Sequence, residues 1–211
     1  MLYINHRINT VEQLKSVPLQ NGIELDIRYH HNELVLHHDP FSHHEAPHPE
    51  KFETLLQAWH HEGPLILNVK TEGVEKQCIE LMVKYHIKNW FFLDLSMPYF
   101  VKYATHAVKQ DISGFSIENL AVRYSEREPI EYALAFAHQA TWVWVDCFTH
   151  LPIDDTSYKQ LKEAGYKLCL VSPELQGHGL DPIQAFKTQL GNKDIDAVCT
   201  KRPDLWGQIC K

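Results

Sequence analysis

Between residues 22 and 40 the chain reads GIELDIRYHHNELVLHHDP, which puts four acidic side chains and four histidines into nineteen positions. Glu24 and Asp26 stand two apart in an otherwise apolar run. On a strand both would leave the same face, opposite the one on which Ile23, Leu25 and Ile27 pack. Two carboxylates converging in this way form a hard oxygen site for Mg²⁺ or Ca²⁺. A lone E-x-D is ordinarily a hydrated strand end, but polar pairs recur where neighbouring strands should stop: His6-Arg7, His38-Asp39 and Asn68-x-Lys70. Four such pairs at strand ends are hard to explain as solvation.

The elements that must position these residues alternate. LYINH, GIELDI, PLILNVK, WFFLDLS, SGFSIEN, WVWVDCF, YKLCLVS and IDAVCTK are eight short strand candidates. Between them TVEQLKSVP, EKFETLLQAWHHEG, EGVEKQCIELMVKYH, MPYFVKYATHAVKQ, EPIEYALAFAHQ, DTSYKQLKEAG and DPIQAFKTQL carry helical spacing. Asp155 with Gly165, and Asp181-Pro182, supply helix start and stop signals. The alternation predicts parallel βα units, and eight strands at this length fit a small (β/α)8 TIM-type barrel whose last outer helix is short or missing. An open doubly wound sheet is the alternative, because periodicity does not report closure. In a barrel, chemistry sits where strands end and βα loops begin, which is where the polar pairs fall.

Composition limits the partners. A chain of 211 residues, 44% hydrophobic and 22% charged, predicts one domain over residues 1–211. A net charge of -7 without a Lys/Arg cluster argues against nucleic acid or a polybasic membrane patch as partner. No run has the length of a transmembrane helix, and MLYINHRINT does not resemble a signal peptide. Five scattered cysteines without CxxC read as buried free thiols, which predicts a cytoplasmic protein.

The HR of strand one, GIELDI, VLHHDP, LILNVK and the closing IDAVCTKRPD together resemble the ordered signature of the glycerophosphodiester phosphodiesterase family, part of a wider set of phospholipase-C-like phosphodiester barrels. The likeness runs from residue 4 to residue 204 and is densest over the first third of the chain. It implies that His6 and His38 form the acid–base pair, that Arg7 and Lys70 hold the phosphate, and that Glu24, Asp26 and position 68 bind a divalent metal, Mg²⁺ or Ca²⁺. It also implies a small phosphodiester as substrate. The chemistry is coherent: a phosphodiester gains negative charge in its transition state, and a divalent ion with Arg and Lys stabilises that charge. Imidazole is the side chain matched to proton transfer near neutral pH. A lyase that stops at the cyclic phosphate and a barrel that binds phosphorylated ligands without turnover are the competing readings.

Three departures from the family pattern matter. Ile8 stands where glycine normally follows His-Arg, Asn68 replaces a metal-binding carboxylate, and the loop after HHDP is short. Asp94, Glu118 and Asp146 are candidates to replace the missing acid, Asp146 first because it shares a strand face with Trp142 and Trp144. His38 rather than His37 is the catalytic candidate, because it directly precedes Asp39. The loop histidines His43, His44 and His48 lack partners for a tetrahedral metal set, and the tryptophans are most simply core.

Overall fold

In the computed structural model, which describes residues 1–41 and 48–207, ten strands join one sheet: β1 (Leu2–Asn5), β2 (Gly22–His30), β3 (Glu33–Leu36), β4 (Glu50–Lys51), β5 (Leu65–Val69), β6 (Trp90–Leu93), β7 (Ala121–Tyr124), β8 (Trp142–Val145), β9 (Lys167–Val171) and β10 (Ala197–Thr200). Eight of them are parallel and run in the order β6-β5-β2-β1-β10-β9-β8-β7. The other two, β3 and β4, form an antiparallel flap on the end of β2. The helices are α1 (Val11–Lys15), α2 (Phe52–Gln57), α3 (Glu75–Lys84), α4 (Met97–Lys109), α5 (Ile130–Ala135), α6 (Asp155–Glu163), α7 (Pro182–Leu190) and α8 (Pro203–Gly207). The arrangement is a small (β/α)8 barrel, and α8 is the short last helix that the sequence leads one to expect.

The barrel is not closed by a continuous hydrogen-bonded ladder. Between β6 and β7 there is one isolated parallel bridge, Phe92 to Leu120. The segment SGFSIEN, which reads as the fifth strand, is instead a turn followed by a 3-10 turn at Ile117–Asn119. Its polar side chains compete with the ladder: Asn119 Oδ1 accepts from Ser116 N at 2.9 Å, and Asn119 Nδ2 donates to Trp90 O at 2.9 Å. The actual strand begins one residue beyond, at Ala121–Tyr124, and carries Arg123 on its inward face. Similarly, α6 is capped by Asp154, whose side chain accepts from Ser157 N, so Asp155 is the first helical residue rather than the cap.

Two apolar layers follow from strand alternation. Ile23, Leu25, Ile27 and their counterparts face the helices and are buried. Ile4, Ile66, Phe91, Trp142, Cys169 and Cys199 fill the barrel interior, with the Phe91 and Trp142 rings stacked at 5.0 Å. Gly22 is required at the base of β2, because a Cβ there would sit 2.3 Å from Pro64 O. Cys78, Cys147, Cys169 and Cys199 are free and buried, while Cys210 lies outside the described residues. Among the described residues no helix is long and apolar enough to cross a membrane.

Candidate active site

At the carboxyl ends of the strands the interior turns from apolar to charged. A cleft of about 220 Å³ opens there, lined by His6, Arg7, Glu24, His38 and Asn68 on one side and by Asp94, Arg123, Asp146 and Gln176 on the other. A wider depression of about 590 Å³, beside Val83 and Gly114 at the opposite end of the barrel, gathers none of the motif residues.

Glu24 and Asp26 point inward and are almost fully buried. Glu24 accepts from the Arg7 backbone N–H and from Asn68 Nδ2, both at 2.8 Å, and His6 Nε2 lies 3.7 Å away. Burial, then the neighbouring Asp26, raise the Glu24 pKa to about 7 against the pull of those donors. Asp26 is held by Asn9 Nδ2 at 2.9 Å, with Arg7 Nε at 3.8 Å and Lys70 Nζ at 3.6 Å. Asp26 pairs with Asn68 across β2 and β5, and the Oδ1 atoms of both residues are buried without a hydrogen-bond partner. Two carboxylates and an orphaned amide oxygen fit a hard divalent cation, with less charge than a site built on three acids. Among the described residues no group of three or more His, Cys, Asp or Glu side chains could hold a metal.

The histidines differ in setting. Burial and the nearby Arg7, Lys201, His38 and Lys70 lower the His6 pKa to about 3, so its ring is neutral. His38 lines the cleft, with Nδ1 2.8 Å from Asp39 Oδ1, which leaves Nε2 as its free nitrogen. His37 instead meets Asp39 O at 2.7 Å and stacks on Phe41 at 4.9 Å. His43 and His44 lie outside the described residues.

The three substitutes considered for a third acid fare differently. Glu118 is exposed on the 3-10 turn before β7, at the other end of the barrel, because that segment is not a strand. Asp94 and Asp146 do reach the cleft, but both are taken by Arg123, which donates to Asp94 and, at 2.5 Å, to Asp146 Oδ2. Glu128 meets the guanidinium Nε at 2.9 Å. Burial works against the Arg123 charge, and Asp146, Asp94 and Glu128 outweigh it and raise its pKa. Burial in turn pushes Asp146 up to about 6 although Arg123 pulls it down. Asp146 is therefore half of an ion pair.

Several positioning residues escape sequence reading. Arg28 donates to His38 O at 2.7 Å and to Lys70 O at 3.2 Å, tying together two motif residues 32 positions apart. Asn9 brackets Asp26 through side chain and backbone. Ile8 packs its side chain against the outer core while its N–H bonds Glu24 O at 2.8 Å, so the departure from glycine adds no bulk to the cleft lining. Arg7, one residue earlier, takes a left-handed backbone at φ +57. The rim loops are laced by Glu126, which accepts from Thr149 N at 2.6 Å, and by Glu174, which accepts from Lys201 N at 3.1 Å and Thr200 Oγ1 at 2.5 Å. In the closing TKRPD, Arg202 N bonds Thr200 Oγ1 and the Arg202 side chain pairs with Asp204, which makes the motif a turn former. Of the residues not singled out from the sequence, Asn9, two residues past the HR pair, and Arg123, a lone charge in an apolar run, had a local signal.

No profile of a known protein family and no curated protein matches this chain. Among solved structures it is similar to a glycerophosphodiester phosphodiesterase from Agrobacterium tumefaciens, with a TM-score of 0.70 and 13% identity over 98% of this chain and 99% of that one. It is also similar to a glycerophosphoryl diester phosphodiesterase from Parabacteroides distasonis, with a TM-score of 0.63 and 13% identity over 97% of this chain and 84% of that one. The chain shares the barrel fold of these enzymes.

Proposed function

We propose that the protein is a phosphodiesterase that cleaves a small glycerol-type phosphodiester by histidine acid–base catalysis with a divalent metal. The observation that carries this reading is the convergence of His6, Arg7, Glu24, His38 and Asn68, drawn from separate motifs, on one cleft, with Lys70 beside Asp26. Fold likeness supports it only at the level of architecture, since barrels host many chemistries.

In this reading neutral His6 takes the proton of the attacking hydroxyl, and His38, oriented by Asp39, delivers one to the leaving alkoxide. Arg7 and Lys70 hold the phosphate oxygens, and Arg28 fixes the backbone from which His38 and Lys70 project. Glu24, Asp26 and Asn68 would hold Mg²⁺ or Ca²⁺, which supplies charge stabilisation to the phosphoryl group when bound.

Calorimetric titration with Mg²⁺, Mn²⁺ and Ca²⁺ tests the metal: binding in the wild type that is lost in Glu24→Ala and Asp26→Ala is expected. A panel of glycerophosphodiesters tests the reaction. Turnover that survives in both His6→Ala and His38→Ala would refute the assigned mechanism.

A further inference from the structure

We propose that the half of the cleft built on β6, β7, β8 and the loop after β9 is a subsite for a hydroxyl-rich alcohol, a polyol or sugar esterified to the phosphate; the inference rests on the phosphodiesterase reading above. Asp94, Arg123, Asp146 and Gln176 line this half as one hydrogen-bonded chain, in which Gln176 Nε2 donates to Asp146 Oδ1 at 2.9 Å. None of the four exhausts its capacity in these contacts. A guanidinium has five N–H donors, a carboxylate about four acceptor positions, and an amide both kinds. The wall thus offers donors and acceptors in turn, spaced by strands about 4.8 Å apart, a pattern that successive hydroxyls around a ring or along a polyol can match.

Two other alcohol classes fit less well. A cationic head group needs spare negative charge, but the two carboxylates of this wall face two cations: Arg123, which pairs with both Asp94 and Asp146, and Lys70, whose Nζ lies 3.4 Å from Asp94 Oδ2. An acyl chain needs an apolar channel. The large apolar side chains exposed at this end, Tyr29, Met97 and Leu180, lie outside the lining of the cleft. Phe148 does line it, and offers a ring against which the C–H face of a sugar can pack.

The test compares kcat/KM for glycerophosphoinositol, glycerophosphocholine and a lysophosphatidylcholine, with Mg²⁺ and, separately, Ca²⁺ present, in wild type and Gln176→Leu. Gln176 is half-buried at the end of a short 3-10 turn, Pro173–Gln176, which favours folding of the variant. Expected is a preference of about tenfold or more for the inositol ester in the wild type, and a fall of that ratio by a similar factor in Gln176→Leu. Turnover without the preference, or a ratio unchanged in Gln176→Leu, overturns the subsite and leaves the phosphodiesterase reading standing. If the wild type hydrolyses none of the three, the phosphodiesterase reading falls, and calorimetry decides the subsite alone. Inositol 1-phosphate should then bind at least about tenfold tighter than phosphocholine in wild type but not in Gln176→Leu, and equal binding overturns the inference.

Discussion

Replacing Arg123 by Met removes the one cation that three acids share at the unladdered seam of the barrel. Asp146 is only 3% exposed, and the Arg123 side chain is 28% exposed. Removing one partner of a buried ion pair costs about 3–5 kcal/mol, because the other charge is left in a dry site. Lys70 Nζ, 3.4 Å from Asp94 Oδ2, still compensates one of the acids, so the lower end, about 3 kcal/mol, is expected. For a chain of this size that corresponds to a drop in Tm of roughly 10 °C. The pH dependence follows from Asp146, whose folded pKa already stands at about 6, above the ordinary value for an aspartate. An acid with a raised folded pKa binds more protons in the native state, so its contribution to stability improves as pH falls through that value and worsens as pH rises. Without Arg123 the pKa rises further, so the deficit of Arg123→Met should be largest at pH 7 and above and should shrink toward pH 5. Urea unfolding at several pH values measures it, and the double variant Arg123→Met/Asp146→Leu, which leaves no buried charge at that pair, should recover most of the loss. A single variant within about 1 kcal/mol of wild type at pH 7, or a deficit that grows toward acid, would refute the assignment of Arg123 as the clamp of the β6/β7 seam.

The raised Glu24 pKa predicts that the metal-free protein loses up to about 3 kcal/mol of stability as pH rises from the ordinary glutamate range to about 7, since the buried carboxyl must then ionise. Glu24→Gln should flatten this slope in urea titrations, because the Asn68 amide can turn its unpartnered Oδ1 to accept from the new amide. Arg28→Ala should lower kcat/KM on the best diester by about ten- to a hundredfold with a smaller change in stability, because it frees the backbone under His38 and Lys70. Normal turnover in that variant would show that the backbone holds its geometry without the guanidinium.

The sequence by itself determined the repeating βα rhythm, because amphipathic spacing and strand alternation are local properties. It also fixed the inward pointing of Glu24 and Asp26, since a two-residue period leaves only one choice of face once Ile23, Leu25 and Ile27 must be covered. His38 could be preferred over His37 on a different local ground, because it directly precedes Asp39, whose carboxylate its Nδ1 meets at 2.8 Å. The fifth strand could not be read, because side-chain capping by Ser116 and Asn119 turned a run with strand-like alternation into a 3-10 turn and shifted the strand to a stretch marked by a lone arginine. The fate of the missing third acid was likewise a tertiary matter. Asp94 and Asp146 are distant in sequence from Arg123, and only the barrel brings β6, β7 and β8 side by side so that one guanidinium engages both acids. Local pattern sets which face a residue takes, whereas which charge neutralises which is settled by strand order, since Coulomb attraction and burial act through space and not along the chain.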